Sequence, residues 1–159
     1  MTYSSAVAYL YRLQKHGIKL GLETMTALTA CLGMPQNRYR TVHIAGTNGK
    51  GSTAAMAAAM LQAAGYRVGL YTSPHLVDFR ERIRVNGEMI PESRVAQLTE
   101  QLQALSQPEL LPTFFEYTTA MAFQHFADTA VDVAVLEVGL GGRFDATNVV
   151  TPMACAITT

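Results

Sequence analysis

The stretch that most constrains this chain is Thr41-Val-His-Ile-Ala-Gly-Thr-Asn-Gly-Lys-Gly-Ser-Thr53. Val42 to Ala45 is a short apolar run and reads as a buried strand. Gly46, Thr47, Asn48 and Gly49 turn the chain, and Lys50 opens an Ala- and Met-rich run that reads as a helix to about Ala64, with Gly65 as its stop. A strand, a glycine turn and a helix start together make an anion site. The glycines let backbone N–H groups point inward, the helix start adds its dipole, and the lysine adds a full charge. Such a site suits the β- and γ-phosphates of a nucleotide. The fit to the general phosphate-loop pattern G-x-x-x-x-G-K-[ST] is partial. Ile44 stands where the first glycine would be, and Gly51 follows Lys50, which displaces the hydroxyl to Ser52. These departures favour a phosphate-loop variant over a small kinase or GTPase. The plainer alternative is an ordinary strand-to-helix turn with a surface lysine.

The rest of the chain alternates helices and strands. Ser4 or Ser5 can cap a first helix carrying Val7, Leu10 and Tyr11, which Gly17 ends; Ile18 to Leu22 is a loop. Glu23 opens a second helix with Met25, Leu28 and Leu32 on its apolar face, stopped by Gly33 and Pro35. Arg67 to Thr72 is a strand, and Ser73-Pro-His-Leu76 breaks it, because Pro74 cannot continue a central strand. Arg82 to Val85 and Glu88 to Ile90 form a small hairpin about Asn86-Gly87. Pro91 sits in the first turn of a helix carrying Val95, Leu98, Leu102 and Leu105, and Pro108 and Pro112 bound a loop. Thr113-Phe-Phe-Glu116 has capping-box spacing and opens a helix through about Asp128. Val131 to Val138 is an apolar strand, Gly139 to Asn148 a glycine-rich loop, and Met153 to Thr158 a final strand. Strands that are apolar throughout and alternate with helices predict an α/β fold: three layers, with a mostly parallel sheet covered on both faces. Ligands collect at the carboxyl ends of such strands. The phosphate loop, Ser73-Pro-His and the stretch after Glu137 are therefore expected to share one crevice.

Composition narrows the function. At 159 residues and 49% apolar the chain suffices for one domain with a sizeable core. Zero net charge gives no sign of nucleic acid or an anionic membrane as partner. The most basic patch, Arg80 to Arg84, is interrupted by Glu81 and has a solvated surface as its plain alternative. Cys31 and Cys155 lack metal-type spacing and read as buried small hydrophobes in a reducing compartment. No secretory signal and no apolar run of membrane-spanning length stands out, so a soluble, cytoplasmic protein is expected.

Four motifs in one order carry a resemblance over nearly the whole chain. His43-Ile-Ala-Gly-Thr-Asn-Gly-Lys-Gly-Ser52, Tyr71-Thr-Ser-Pro-His-Leu76, Glu81-Arg-Ile-Arg-Val-Asn-Gly87 and Leu136-Glu-Val-Gly-Leu-Gly-Gly-Arg-Phe-Asp-Ala-Thr-Asn148 closely resemble the folylpolyglutamate synthase family. The form that also acts as dihydrofolate synthase fits best. That family belongs with the Mur ligases, ATP-dependent amide ligases that add amino acids to cell-wall precursors. The resemblance implies that residues 1–159 are the N-terminal part of an ATP-binding domain. The rest of that domain, with a metal-binding histidine and a carbamoylated lysine, and a C-terminal domain are expected to lie beyond Thr159. A fragment of this kind would be inactive alone and would self-associate to cover its sheet edge.

The chemistry implied is ligation with ATP and Mg2+. ATP would convert a pterin-linked carboxylate to an acyl phosphate, and the amine of L-glutamate would displace phosphate. Thr47, Asn48, Gly49, Lys50 and Gly51 match the family's phosphate-holding residues, and Ser73 and Glu137 its magnesium ligands. Ser52 is a further candidate ligand by phosphate-loop logic. Lys50 and Glu137 are the catalytic candidates. For Glu137 the alternative is a salt bridge to Arg143 or another arginine. Thr113, Phe114, Phe115 and Glu116 match the segment that binds dihydropteroate, with a capping box as the alternative for Glu116 and core packing for the phenylalanines. Phe144, Asp145 and Ala146 match the pterin loop; for Asp145 an Asx turn is the alternative. Ile18, Lys19 and Leu20 match a loop near the pterin, or are a plain connector. His75 matches no ligand and is expected to shape its loop, and His16 and His125 read as ordinary helix residues. Two other functions stay open: a phosphate-loop kinase or synthetase of another substrate, and a nucleotide-binding module without turnover.

Overall fold

The structure, a computed structural model, describes residues 1–17, 21–105 and 110–159. Helix α1 runs Tyr3–Arg12 and continues as a tight 3₁₀ turn, Leu13–His16. Its cap is Thr2, whose hydroxyl accepts from Ser5 N, so neither serine caps it as the sequence suggested. Helix α2 spans Glu23–Cys31, strand β1 Arg40–Gly46, helix α3 Lys50–Ala63 and strand β2 Val68–Tyr71. The hairpin is β3, Ile83–Val85, with β4, Glu88–Met89. Its turn residues Asn86 and Gly87 both take positive φ, 49° and 81°, the requirement of a two-residue turn whose twist matches the strands. Helix α4 is Glu92–Leu105, α5 is Phe114–Asp128, β5 is Val133–Glu137 and β6 is Ala154–Thr158.

The six strands form one sheet in the order β4-β3-β2-β5-β1-β6. From β2 to β6 the strands are parallel; the β3–β4 hairpin joins antiparallel at the β2 edge. Strand β5 lies centrally and is buried from Val133 to Glu137, which is why it reads as a continuous apolar run. Helix α3 packs on one face of the sheet, where Ala54 and Ala58 meet Ile44, Val68 and Val135. On the other face a larger core gathers α1, α2, α4 and α5 around Tyr71, Tyr117, Phe123 and Phe126. The three expected layers are present. The register pairs Ile44 with Glu137, Tyr71 with Leu136 and Gly46 with Thr158, so β1, β2, β5 and β6 end along one crest.

Cys31 and Cys155 are exposed, contrary to the sequence reading. Cys31 closes α2, and Cys155 lies on β6, an edge strand whose Ile157 is also open to solvent. Among the described residues no helix is long and apolar enough to cross a membrane.

Candidate active site

The crest of the sheet carries the phosphate loop. Gly49 sits at the cap of α3 with φ 77°, a left-handed conformation that costs glycine nothing. Lys50 is half-buried, and its Nζ donates to Thr47 O at 3.3 Å; among the described residues no carboxylate pairs with it. Thr47, Asn48 and Ser52 are exposed beside it, and Asn48 N donates to Thr159 O at 2.7 Å.

Glu137 ends β5 directly against this loop. A Cβ placed on Gly51 would lie 3.4 Å from Glu137 Oε1, ordinary van der Waals contact, so the carboxylate stands beside the start of α3. Glu137 is only 5% exposed and accepts from Ser73 N at 2.8 Å. The salt bridge to Arg143 is not formed, and no other cation pairs with Glu137 among the described residues. A carboxylate buried with one backbone hydrogen bond and no counter-charge is expensive in an apolar setting and well suited to a cation. The described residues contain no cluster of three or more His, Cys, Asp or Glu side chains, so any ion here would rely on Glu137, hydroxyls and ligand oxygens.

Ser73 faces two ways. It bonds Glu137, and it also lines a cavity of about 500 Å3. The walls of that cavity are Gln14 and Gly17, Ser73-Pro74, Arg82, the Thr113–Glu116 segment, and the glycine-rich loop with Phe144, Asp145 and Ala146. The lining is mainly apolar and aromatic, as small-molecule sites are. The structure thus gathers the Thr113–Glu116 and Phe144–Ala146 candidates around one space. Ile18, Lys19 and Leu20 lie outside the described residues.

Several walls are held by their own hydrogen bonds. Thr113 and Glu116 form the capping box: Thr113 N donates to Glu116 Oε2 at 2.7 Å and Glu116 N donates to Thr113 Oγ1 at 3.2 Å. Phe114 stacks on Tyr11, with centroids 5.7 Å apart, and Phe115 packs against Gly139 and Tyr71. Asp145 is 4% exposed. Its Oδ2 accepts from Gly139 N and Leu140 N, at 2.9 and 2.8 Å, and its Oδ1 from Thr147 N and Thr147 Oγ1, at 3.0 and 2.5 Å. The Asx turn is therefore formed, and these donors fill the acceptor positions of the carboxylate. Because Thr147 gives its hydroxyl proton to Asp145, its oxygen receives Nε2–H of His43 at 2.7 Å, which assigns the neutral tautomer. Burial lowers the His43 pKa, against a partial opposing pull from Asp145.

Arg82 went unrecognised in the sequence. It belongs to the basic stretch for which a solvated surface was the plain alternative, yet it is 7% exposed and lines the cavity. Its Nε donates to His75 Nδ1 at 2.7 Å, and its guanidinium lies 5.1 Å from the Phe114 centroid. His75 therefore carries its proton on Nε2 and donates it to Tyr11 Oη at 3.0 Å. Burial, and then the Arg82 charge, lower the His75 pKa. The sequence offered one hint: the expected strand from Arg82 would place Arg82 and Arg84 on one face, but Arg82 closes the turn Phe79–Arg82 ahead of β3, and alternation alone does not say which of the two is covered.

No family model matches the chain. The chain is 48% identical, over 98% of its length, to the dihydrofolate synthase/folylpolyglutamate synthase of Bacillus subtilis, of which it covers 38%. It superposes on the crystal structure of the folylpolyglutamate synthase of Thermotoga maritima with a TM-score of 0.92 and 50% identity, over 99% of this chain and 38% of that one. The FolC protein of Escherichia coli, solved in complex with DHPP and ADP, superposes with a TM-score of 0.91 and 41% identity, again over 99% and 38%. The chain thus spans well under half the length of these relatives.

Proposed function

Because the chain belongs to the folylpolyglutamate synthase/dihydrofolate synthase family in sequence and in fold, we propose that it forms the nucleotide- and acceptor-binding part of an ATP-dependent amide ligase. That ligase joins L-glutamate to dihydropteroate, to folates, or to both. Residues 1–159 are the N-terminal part of its ATP-binding domain. One observation carries this assignment. The buried, uncompensated Glu137 stands beside the phosphate loop at Gly51 and is linked to the apolar cavity through Ser73. A phosphate site and an acceptor site therefore adjoin, as transfer between them requires. The Escherichia coli relative was solved with DHPP and ADP together, which supports a site for each.

In this assignment Thr47, Asn48, Gly49, Lys50, Gly51 and Ser52 hold the phosphates of ATP. Glu137 and Ser73 would hold Mg2+, which would neutralise charge on the phosphoryl oxygens; a buried carboxylate lacking a counter-ion, with a serine beside it, fits a hard oxygen-seeking cation. The acceptor lies in the cavity against Thr113, Phe114, Phe115, Glu116, Phe144 and Ala146. Asp145 contributes mainly by shaping the wall, since its oxygens are already engaged. An oxygen of the acceptor carboxylate attacks the γ-phosphorus of ATP, and the bond to the leaving ADP breaks. The amine of L-glutamate then attacks the acyl carbon, phosphate leaves, and the amine gives up its proton. Lys50 faces the charge that builds on the transferring group.

The test is a ligation assay on a protein of the relatives' full length, following glutamate-bearing product by mass spectrometry with dihydropteroate and with reduced folates. ADP formation that needs both acceptor and L-glutamate, and falls about 100-fold in Lys50→Ala, is expected. ADP release indifferent to both substrates would refute the assignment.

A further inference from the structure

Arg82 is charged, nine-tenths buried and on the cavity wall, yet among the described residues no carboxylate pairs with it. Several nearby carboxylates are committed elsewhere, Glu116 among them, whose Oε2 accepts from Thr113 N. Glu81 accepts from the backbone N–H groups of Leu76, Val77 and Asp78. Asp78 is taken by Arg80 and by Tyr3. Asp145 has its four internal donors. Among the described residues the Arg82 side chain donates through Nε, toward His75 Nδ1. A guanidinium carries five N–H donors in a rigid fork, so the Nη groups keep their capacity for an acceptor. A buried cation left in this state is costly unless an anion arrives.

The side chain is also locked in place. Its backbone carbonyl accepts from Thr72 N at 3.0 Å, which ties it to the end of β2 beside Ser73. Phe114 lies under the guanidinium plane, and His75 fixes the Nε edge while Tyr11 fixes His75. A planar fork held in this way matches the geometry of a carboxylate.

We propose that Arg82 binds the reacting carboxylate of the acceptor and sets the cavity's selectivity for anionic over neutral pterin-linked acids. This assignment rests on the acceptor site proposed above. His75 and Tyr11 act as positioning residues, holding the guanidinium rather than touching the ligand.

The test compares dihydropteroate with its neutral carboxamide, each titrated by calorimetry into a full-length protein. The unaltered protein should prefer the acid by about 10- to 100-fold, the worth of a charge-assisted pair of hydrogen bonds. Arg82→Ala should bind the two probes nearly equally while its affinity for ADP holds. Arg82→Lys, which keeps the charge but loses the fork, should restore part of the preference. An Arg82→Ala protein that still prefers the acid, or that loses both probes alike while its ADP affinity holds, would make Arg82 a wall residue and overturn the proposal. Failure of dihydropteroate itself to bind the unaltered protein would instead overturn the acceptor site, and the Arg82 assignment with it.

Discussion

Replacing Asp145 by asparagine exchanges one oxygen for an NH2 group and leaves the shape unchanged. The carboxylate takes two donors on each oxygen, and an amide has one oxygen to offer. If that oxygen turns to the buried Thr147 pair, the NH2 group faces the N–H groups of Gly139 and Leu140, and two hydrogen bonds are lost. Gly139 is half-buried and Leu140 exposed, so water recovers part, and the loss is about 1 kcal/mol for each. The two bonds to Thr147 survive without the ionic acceptor, which removes about 1 kcal/mol more. The sum is about 3 kcal/mol, or roughly 6–12 °C in Tm for a chain of this size. Thermal unfolding by circular dichroism reads it directly. Acceptor affinity should fall with the loop, and nucleotide affinity should hold. An unchanged Tm in Asp145→Asn, with acceptor binding still lost, would show that the carboxylate serves the ligand and not the wall.

Gly139→Ala should destabilise by about 1–3 kcal/mol and weaken acceptor binding, because the new methyl would clash with the ring of Phe115, a cavity wall; urea titration and acceptor calorimetry check both. His125 is buried, and burial with the nearby Arg94 charge pushes its pKa down to about 4. A group whose folded pKa lies below its unfolded value near 6.5 leaves stability intact above that pH and erodes it as pH falls toward 4, by up to about 3 kcal/mol. His43 and His75 act with the same sign, and His125→Gln should flatten part of the loss in urea midpoints measured between pH 7 and 4.5. Strand β6 is an edge with Ile157 84% exposed, and Met153 just before it is 61% exposed, so the chain should self-associate in light scattering, and Ile157→Lys should reduce this.

The elements were legible where a local rule fixed them. Thr113 and Glu116 announce a capping box, Asn86-Gly87 a tight turn, and the apolar run about Val133 a central strand. The common crest of strand ends followed from a parallel sheet, although the phosphate loop stands beside the cavity rather than in its lining. Burial that depends on distant partners was not legible. Arg82 looks like surface until Tyr11, His75 and Phe114 close over it from other segments. Cys155 looks like core until β6 proves to be an edge. The cap of α1 went to Thr2 because a threonine hydroxyl three residues before Ser5 reaches its N–H. Asp145 satisfied its own loop because two glycine-loop N–H groups and Thr147 converge on it, a convergence that no sequence spacing reveals.

The most direct measurement is the Mg2+ dependence of nucleotide affinity in a full-length protein, taken by calorimetry for the unaltered chain and for Glu137→Gln. Glutamine keeps the acceptor for Ser73 N but removes the charge that would hold the ion beside Gly51. Nucleotide affinity should rise with Mg2+ in the unaltered protein, and most of that rise should vanish in Glu137→Gln while metal-free affinity is kept. An identical Mg2+ dependence in both proteins would mean that Glu137 holds no ion at the phosphate loop.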